Sequence, residues 1–413
     1  MEESKTDINM EGRENQVYDV SAKAQKDRMR AVYWELVRWE LRKLWEMPVF
    51  WVFLLLCIVF NVLLAAGSQY GTDYISYVKE VRKTAGSRMG KEFDEKVSRM
   101  ADCGPKELLI QETAGARDVF ETYSPKETAE MYISRYRMTG WAADALYRKY
   151  AQQEARVRIL DKEDASMDAG AAGMTKPLME LLFGKLCRAV LTEGILLAVF
   201  AALYICGMER TERTWLTVYT TKKGRGVQRE KFLAGLFYTA AAYAVTAAVS
   251  VLVFAYVWQL GDIWNTDMST QFHDMNSMGV KIPFVSWAPF TMRSYLAAVL
   301  VLGMAAPVLF YLSAYLTALL VPDSYAGFLL LAGVCALNFE AVLLAGNSAH
   351  WGMFEAAMWT PVMFWWMQPV WFTDMGISAV VPWQECRVFV LCLAVLASLL
   401  YPGFRYFYGK DFK

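Results

Sequence analysis

The chain has 413 residues, 56% hydrophobic and 15% aromatic, with 42 basic and 42 acidic residues and a formal net charge of zero. That apolar excess is more than a soluble core of this length needs, which excludes an ordinary water-soluble enzyme and points to a membrane protein without a nucleic-acid partner. The charge is unevenly placed: no Lys or Arg occurs between Arg293 and Arg387, and such asymmetry encodes topology.

Residues 1–29 are polar enough to be read as a disordered cytoplasmic tail. Over 30–47, Tyr33, Val37, Leu41 and Leu44 recur at helical spacing, with Trp34 and Trp45 beside them and Glu35, Arg38, Arg42 and Glu46 opposite. This pattern predicts an amphipathic helix lying on the membrane surface with its indoles at headgroup depth. The plainer reading is a helical extension of the first span, against which Pro48 argues for a bend.

A helix needs about 20 mainly apolar residues to cross a bilayer. Six stretches qualify: 48–67, 181–207, 232–260, 294–321, 325–346 and 386–404. Short connections on one side carry nine basic residues before Pro48, seven in 209–231, none in 321–324 and three after Phe404. The other side carries only Lys281 in 261–292 and none in 347–385. Both chain ends are therefore expected in the cytoplasm.

The long connection 68–180 is too long to obey the charge rule and reads as an exported, mainly helical domain. Ser124-Pro125-Lys126-Glu127 has the form of a capping box with Pro at the first helical position. Tyr132, Ile133, Tyr136, Leu146, Tyr147 and Tyr150 then supply an apolar stripe. Cys103 is the domain's only cysteine, so no disulfide forms within it. The fold class expected is an all-α polytopic membrane protein: six transmembrane helices, an N-terminal interface helix and a large helical extracellular insertion between spans one and two.

Catalytic motifs are lacking. Gly86-Ser87-Arg88-Met89-Gly90-Lys91-Glu92 has too few residues between its glycines for a phosphate-binding loop, and Glu where Ser or Thr must hold magnesium. The two histidines, His273 and His350, lie in different connections without zinc-site spacing. The stretch from His273 to Met278 has soft-metal ligands but reads better as a surface loop, so no metal site and no catalytic residue is assigned.

The segment 208–231 is the most informative. Acidic Glu209 and Glu212 close the second span; Trp215, Leu216, Val218 and Tyr219 form a short apolar helix; Thr220-Thr221-Lys222-Lys223-Gly224-Arg225 makes a basic turn, and Lys231 enters the third span. An orientation anchor explains the charge but not this order of features. The order resembles permease subunits of type-2 ATP-binding-cassette (ABC) transporters, particularly those of low-GC Gram-positive bacteria. These carry an acidic pair, a Gly-Thr, a short apolar helix and a Thr-Thr-Lys-x-Gly-Arg turn leading to a Lys. Here Glu209, Thr214, Leu216, the turn 220–225 and Lys231 match, and Arg213 stands where the family usually has Gly.

The resemblance implies a coupling helix docking on separate cytosolic ABC nucleotide-binding subunits, which would bind ATP and Mg while this chain binds no cofactor and is not an enzyme. It also implies a second permease copy or related chain, a bacterial cell membrane, and an amphipathic or hydrophobic cargo such as an antimicrobial peptide. A receptor or scaffold with an extracellular ligand-binding domain is the alternative.

Polar groups inside spans are costly and need a reason. Asn61, Glu193, Asn338 and Glu340 qualify, either as a cluster lining or gating the exit route or as satisfied structural pairs with Lys185, Arg188 or Arg387. The connection 347–385 carries six tryptophans with Pro361 and Pro369. Such a segment reads as short re-entrant helices or as an interfacial aromatic belt.

Overall fold

The computed structural model describes residues 31–67, 69–113, 119–168, 175–221, 223–270, 272–275, 280–348 and 350–409. The tail expected over 1–29 and the side chain of Lys222 lie outside them. Six helices are long and apolar enough to cross a membrane: Pro48–Ala66, Pro177–Thr211, Gly224–Trp258, Met292–Leu320, Ser324–Asn347 and Gln384–Gly409. The chain is thus an all-α multi-pass membrane protein. Two short antiparallel strands, Phe272–Met275 and Val280–Pro283, depart from the helical pattern; His273 of the soft-metal candidate lies on the first, and 276–278 of that candidate fall outside the described residues.

Small residues decide which span is central. In the second span Gly194, Ala198, Ala201, Ala202 and Gly207 are all buried, and a β-carbon at Gly194 would come within 2.9 Å of Tyr243 and 3.0 Å of Pro307. Close backbone approach replaces the missing hydrophobic drive between helices in lipid. Accordingly 72% of the second span's apolar window is buried, against 6% of the fifth's. The second span begins with a π-helical stretch, Glu180–Leu186, and the fourth breaks between Gly303 and Ala305, with Pro307 in the first turn of the second piece, where its missing N–H does least harm.

Helix 31–46 precedes the first span and is separated from it at Met47, just before Pro48. Val37 and Leu44 are buried while Glu35, Arg38, Arg42 and Glu46 are exposed. Its rings pack on the third span, Trp34 with Phe237 at 6.1 Å and Trp45 with Tyr238 at 5.5 Å.

Between the first two spans lie helices Gln69–Ala85, Lys91–Ser98, Gly104–Thr113, Val119–Thr122, Pro125–Arg135 and Trp141–Lys162. Ser124 Oγ accepts from the Glu127 amide at 3.3 Å, capping its helix. Tyr132, Leu146 and Tyr150 are buried in a core continuous with that of the spans. Two bonds tie the region to the end of the third span: Lys79 Nζ donates to Trp258 O at 2.5 Å and Arg82 to Asp262 at 3.0 Å. Trp258 in turn donates to Ala65 O at 3.1 Å.

Candidate functional site at the turn between the second and third spans

The second span ends at Thr211, and the chain reverses through Arg213, whose φ of 59° lies in the left-handed region. That conformation costs a residue with a Cβ roughly 1–2 kcal/mol, so it is held by its surroundings. Thr214 precedes a five-residue helix, Trp215–Tyr219, in which no residue is buried and Leu216 is 60% exposed. The helix is fixed at one end: Tyr219 lies edge-on to Phe407 of the last span at 6.2 Å, and the Trp215 ring is tilted against Tyr219 at 6.4 Å. Local hydroxyls close the turn. Thr220 Oγ1 donates to Leu216 O and Thr221 Oγ1 to Val218 O, while Thr221 Oγ1 accepts from the Gly224 amide at 3.2 Å. Gly224 takes a φ of 54°, which glycine adopts without steric cost.

Below the turn lies a buried polar floor. Lys231 is 0% and Glu209 3% exposed, and the two form an ion pair. Lys231 also donates to Ile205 O at 2.9 Å. Tyr315 donates to Gln228 O at 2.7 Å, and Arg225 to Tyr408 O at 2.7 Å. Glu230 is buried and pairs with Lys223 at 2.6 Å. A charge pair this deep contributes little net stability but punishes any arrangement that separates its members, so it holds the relative register of the second and third spans. The residues singled out in the sequence therefore divide: Glu212, Thr214, Leu216, Thr220 and Thr221 are exposed, Trp215, Gly224 and Arg225 half-buried, and Glu209 and Lys231 inside. The inner pair acts on the turn's position rather than at its surface.

Of the helix 31–46 residues, Trp34, Arg38 and Arg42 are exposed and Leu41 and Trp45 half-buried. Among the polar groups in the spans, Asn61 donates to Glu193 at 2.7 Å, both buried, and Asn61 Oδ1 has no hydrogen-bond partner among the described residues. Asn338 bonds Ala357 O and accepts from Thr360 instead, and Glu340 is exposed on the fifth span. The four do not form one cluster. Arg188 lies over the Trp366 ring at 4.0 Å rather than beside Glu193.

The tryptophan-rich segment folds as helices Trp351–Met358 and Pro361–Trp366 with 3-10 turns after them. Trp371 is fully buried, donating to Phe364 O at 3.2 Å and with its carbonyl accepting from Tyr295 at 2.9 Å.

Lys149 was not legible as a functional residue. It is fully buried and donates to three carbonyls of the segment, Asp374 O at 2.8 Å, Gly376 O at 2.5 Å and Ala379 O at 2.9 Å. Tyr150 donates to Asp374 Oδ2 at 2.5 Å. The loop wraps the ammonium through positive φ at Phe372, Met375 and Gly376. Burial pulls the Lys149 amine down to about 8, with Asp374 and Glu355 opposing. Burial pushes the Glu355 carboxyl up to about 7, with the Trp359 side chain and the Lys149 charge opposing. The available signal was the stripe Ala142, Leu146, Lys149, Gln153, Val157 and Leu160, whose heptad-like spacing sets Lys149 on a buried face.

No group of His, Cys, Asp or Glu suited to a metal occurs among the described residues. Comparison with protein-family models, with curated proteins and with solved structures returns no match.

Proposed function

We propose that the chain is the membrane permease subunit of an ABC exporter, driven through the turn at 208–231 by separate ATP-hydrolysing subunits. The observation that carries this reading is the construction of the turn: an apolar knuckle, exposed Leu216 beside half-buried Trp215, between two spans that the buried Glu209–Lys231 pair joins. An anchor for orientation needs only charge; a part that receives force needs an exposed contact and a stiff base. The left-handed Arg213 supplies the bend at the position where the resembling family usually has Gly.

In this reading both termini and the turn face the cytoplasm of a bacterial cell. Helix 31–46 lies on the inner membrane surface, and 68–180 forms an exported domain. Exposed Leu216 and half-buried Trp215 supply the apolar anchor of the docking contact, and Arg225 and Glu212 steer it. A second permease copy or related chain completes the pathway, and the cargo is amphipathic or hydrophobic, an antimicrobial peptide being the class implied by family association.

The test is affinity isolation of the intact chain from its own cells and reconstitution of whatever ATPase accompanies it in nanodiscs. ATP hydrolysis is expected to rise in the complex and to lose that stimulation with Leu216→Glu, while thermal unfolding of the permease stays unchanged. An accompanying protein without ATPase activity, or stimulation indifferent to Leu216→Glu, overturns the coupling role and favours a receptor or scaffold.

A further inference from the structure

A cavity of about 380 Å³ opens beside the turn, lined by Tyr33, Lys223, Gly226, Arg229, Glu230 and Tyr408. We propose that it binds the headgroup of an anionic phospholipid, with the phosphodiester held by Arg229 and Lys223 and headgroup hydroxyls by Glu230 and Tyr408. The site requires only that the chain sit in a bilayer, so it stands or falls apart from the coupling reading.

Charge comes first. The lining holds two cations and one carboxylate, a net single positive charge that matches one phosphodiester. Glu230 Oε1 is engaged by Lys223 at 2.6 Å. Arg229 is exposed, has no carboxylate partner among the described residues, and lies 5.9 Å from the Tyr408 ring. Lys223 lies 5.9 Å from the Tyr33 ring. Both cations are therefore propped on aromatic faces at the cavity wall, with donors left for an anion.

The unmet bonds narrow the ligand further. Glu230 Oε2 and the Tyr408 hydroxyl are both out of solvent and without a hydrogen-bond partner among the described residues. A carboxylate oxygen needs a donor, and a phenol can give or take. A phosphodiester alone has no hydrogen to offer Glu230, whereas a headgroup ending in hydroxyls offers donors to both. Phosphatidylglycerol has this chemistry; phosphatidylcholine has neither the net charge nor the donors.

Depth separates a lipid from a soluble phosphate. Arg229 stands three residues before Phe232, where the third span turns apolar, and Tyr408 four residues after Phe404 of the last span. On helix 31–46, which supplies Tyr33 to the lining, Trp34 and Trp39 are 54% and 55% exposed, as indoles at the headgroup level are. Basic pockets between spans near an anionic leaflet have the electrostatics to hold such headgroups.

The experiment uses the full chain in nanodiscs of equimolar phosphatidylglycerol and phosphatidylcholine, released into the gas phase for native mass spectrometry of retained lipid. Wild type is expected to retain phosphatidylglycerol in preference to phosphatidylcholine. Arg229→Gln or Lys223→Gln should lower that retention about fivefold, the worth of one basic group at an anionic surface. Arg38→Gln, an exposed basic residue on helix 31–46 outside the cavity, should leave it unchanged. Tyr408→Phe should erode it by removing a hydroxyl partner. Equal retention of both lipids overturns the proposal, as does Arg38→Gln matching Arg229→Gln, which would mean diffuse attraction. Displacement of the lipid by millimolar inorganic phosphate would reassign the cavity to a soluble anion.

Discussion

Replacing Lys149 by Met should loosen the tryptophan-rich segment without unfolding the spans. The ammonium satisfies the carbonyls of Asp374, Gly376 and Ala379, and Met leaves two of them buried and the third part-buried without that donor, at about 1–3 kcal/mol each. Part of that loss is recovered, because the charge no longer has to be buried. The amine's fall from 10.5 to about 8 corresponds to about 3 kcal/mol. A net loss of roughly 2–3 kcal/mol remains, on the order of a hundredfold in the local opening equilibrium. Hydrogen exchange of the full chain in nanodiscs measures this directly: amides of 372–379 should exchange on the order of a hundredfold faster in Lys149→Met, while those of the second span stay as in wild type. Unchanged exchange in 372–379 would refute the idea that this side chain holds the loop.

The same contact should respond to pH in two opposed limbs. Detached, Lys149 keeps its proton up to 10.5, whereas attached it loses it near 8, so the contact tightens as pH rises above 8. Glu355 is raised from 4.5 to about 7, so its contribution is complete below 4.5 and is lost as pH rises through 7. Protection of 372–379, corrected for intrinsic exchange, should pass through a minimum between 7 and 8, and Glu355→Gln should remove the acid limb and, by taking away a charge that holds the Lys149 amine up, start the alkaline rise at lower pH. Lys231→Met strands a buried carboxylate and should cost about 3–5 kcal/mol in denaturant unfolding, most of it restored in Lys231→Met/Glu209→Leu. At Gly235 a β-carbon would strike the Tyr311 hydroxyl and lie 2.8 Å from its ring, so Gly235→Ala should cost about 1–3 kcal/mol. Gly333, with nothing within 4 Å, is the neutral comparison.

Hydropathy made the six spans readable because length and apolarity are one-dimensional properties. Which span is central is not one, since the packing of Gly194 against Tyr243 and Pro307 joins residues from three helices. The turn at 208–231 was readable as a helix, a glycine turn and a basic return, yet Glu209 and Lys231 read as surface charges there. Their pairing across 22 residues and their burial come from the way two helices meet. Lys149 failed for a related reason: beside Arg148 it looks like a solvated face, and its acceptors are backbone carbonyls more than 220 residues away, which carry no side-chain signature. The strands at 272–275 and 280–283 are too short for alternation to register.

These contacts make the region between the first two spans a strut rather than an appendage. One end is pinned to the third span through Lys79 and Trp258 O and through Arg82 and Asp262. The other grips the tryptophan-rich segment through Lys149 and Tyr150, and Arg156 reaches Asp267 at 3.5 Å between them. The third span is also the helix whose opposite end carries the turn, with Lys231 tied to the second span. A displacement entering at the turn and tilting the third span must therefore either break the Lys79 and Arg82 contacts or carry the strut with it. Because Lys149 is caged by three carbonyls, the strut cannot move without pulling on 374–379, whose neighbours Trp371 and Gln368 are bonded to the fourth and second spans. A packed chain of this kind transmits discrete rearrangements rather than gradual bending. Lys149→Met should consequently uncouple the two ends: in the reconstituted complex, ATP hydrolysis would persist while any dependent change in exchange at 372–379 disappears. If hydrolysis and that change were lost together, the strut would be part of the drive itself and not its relay.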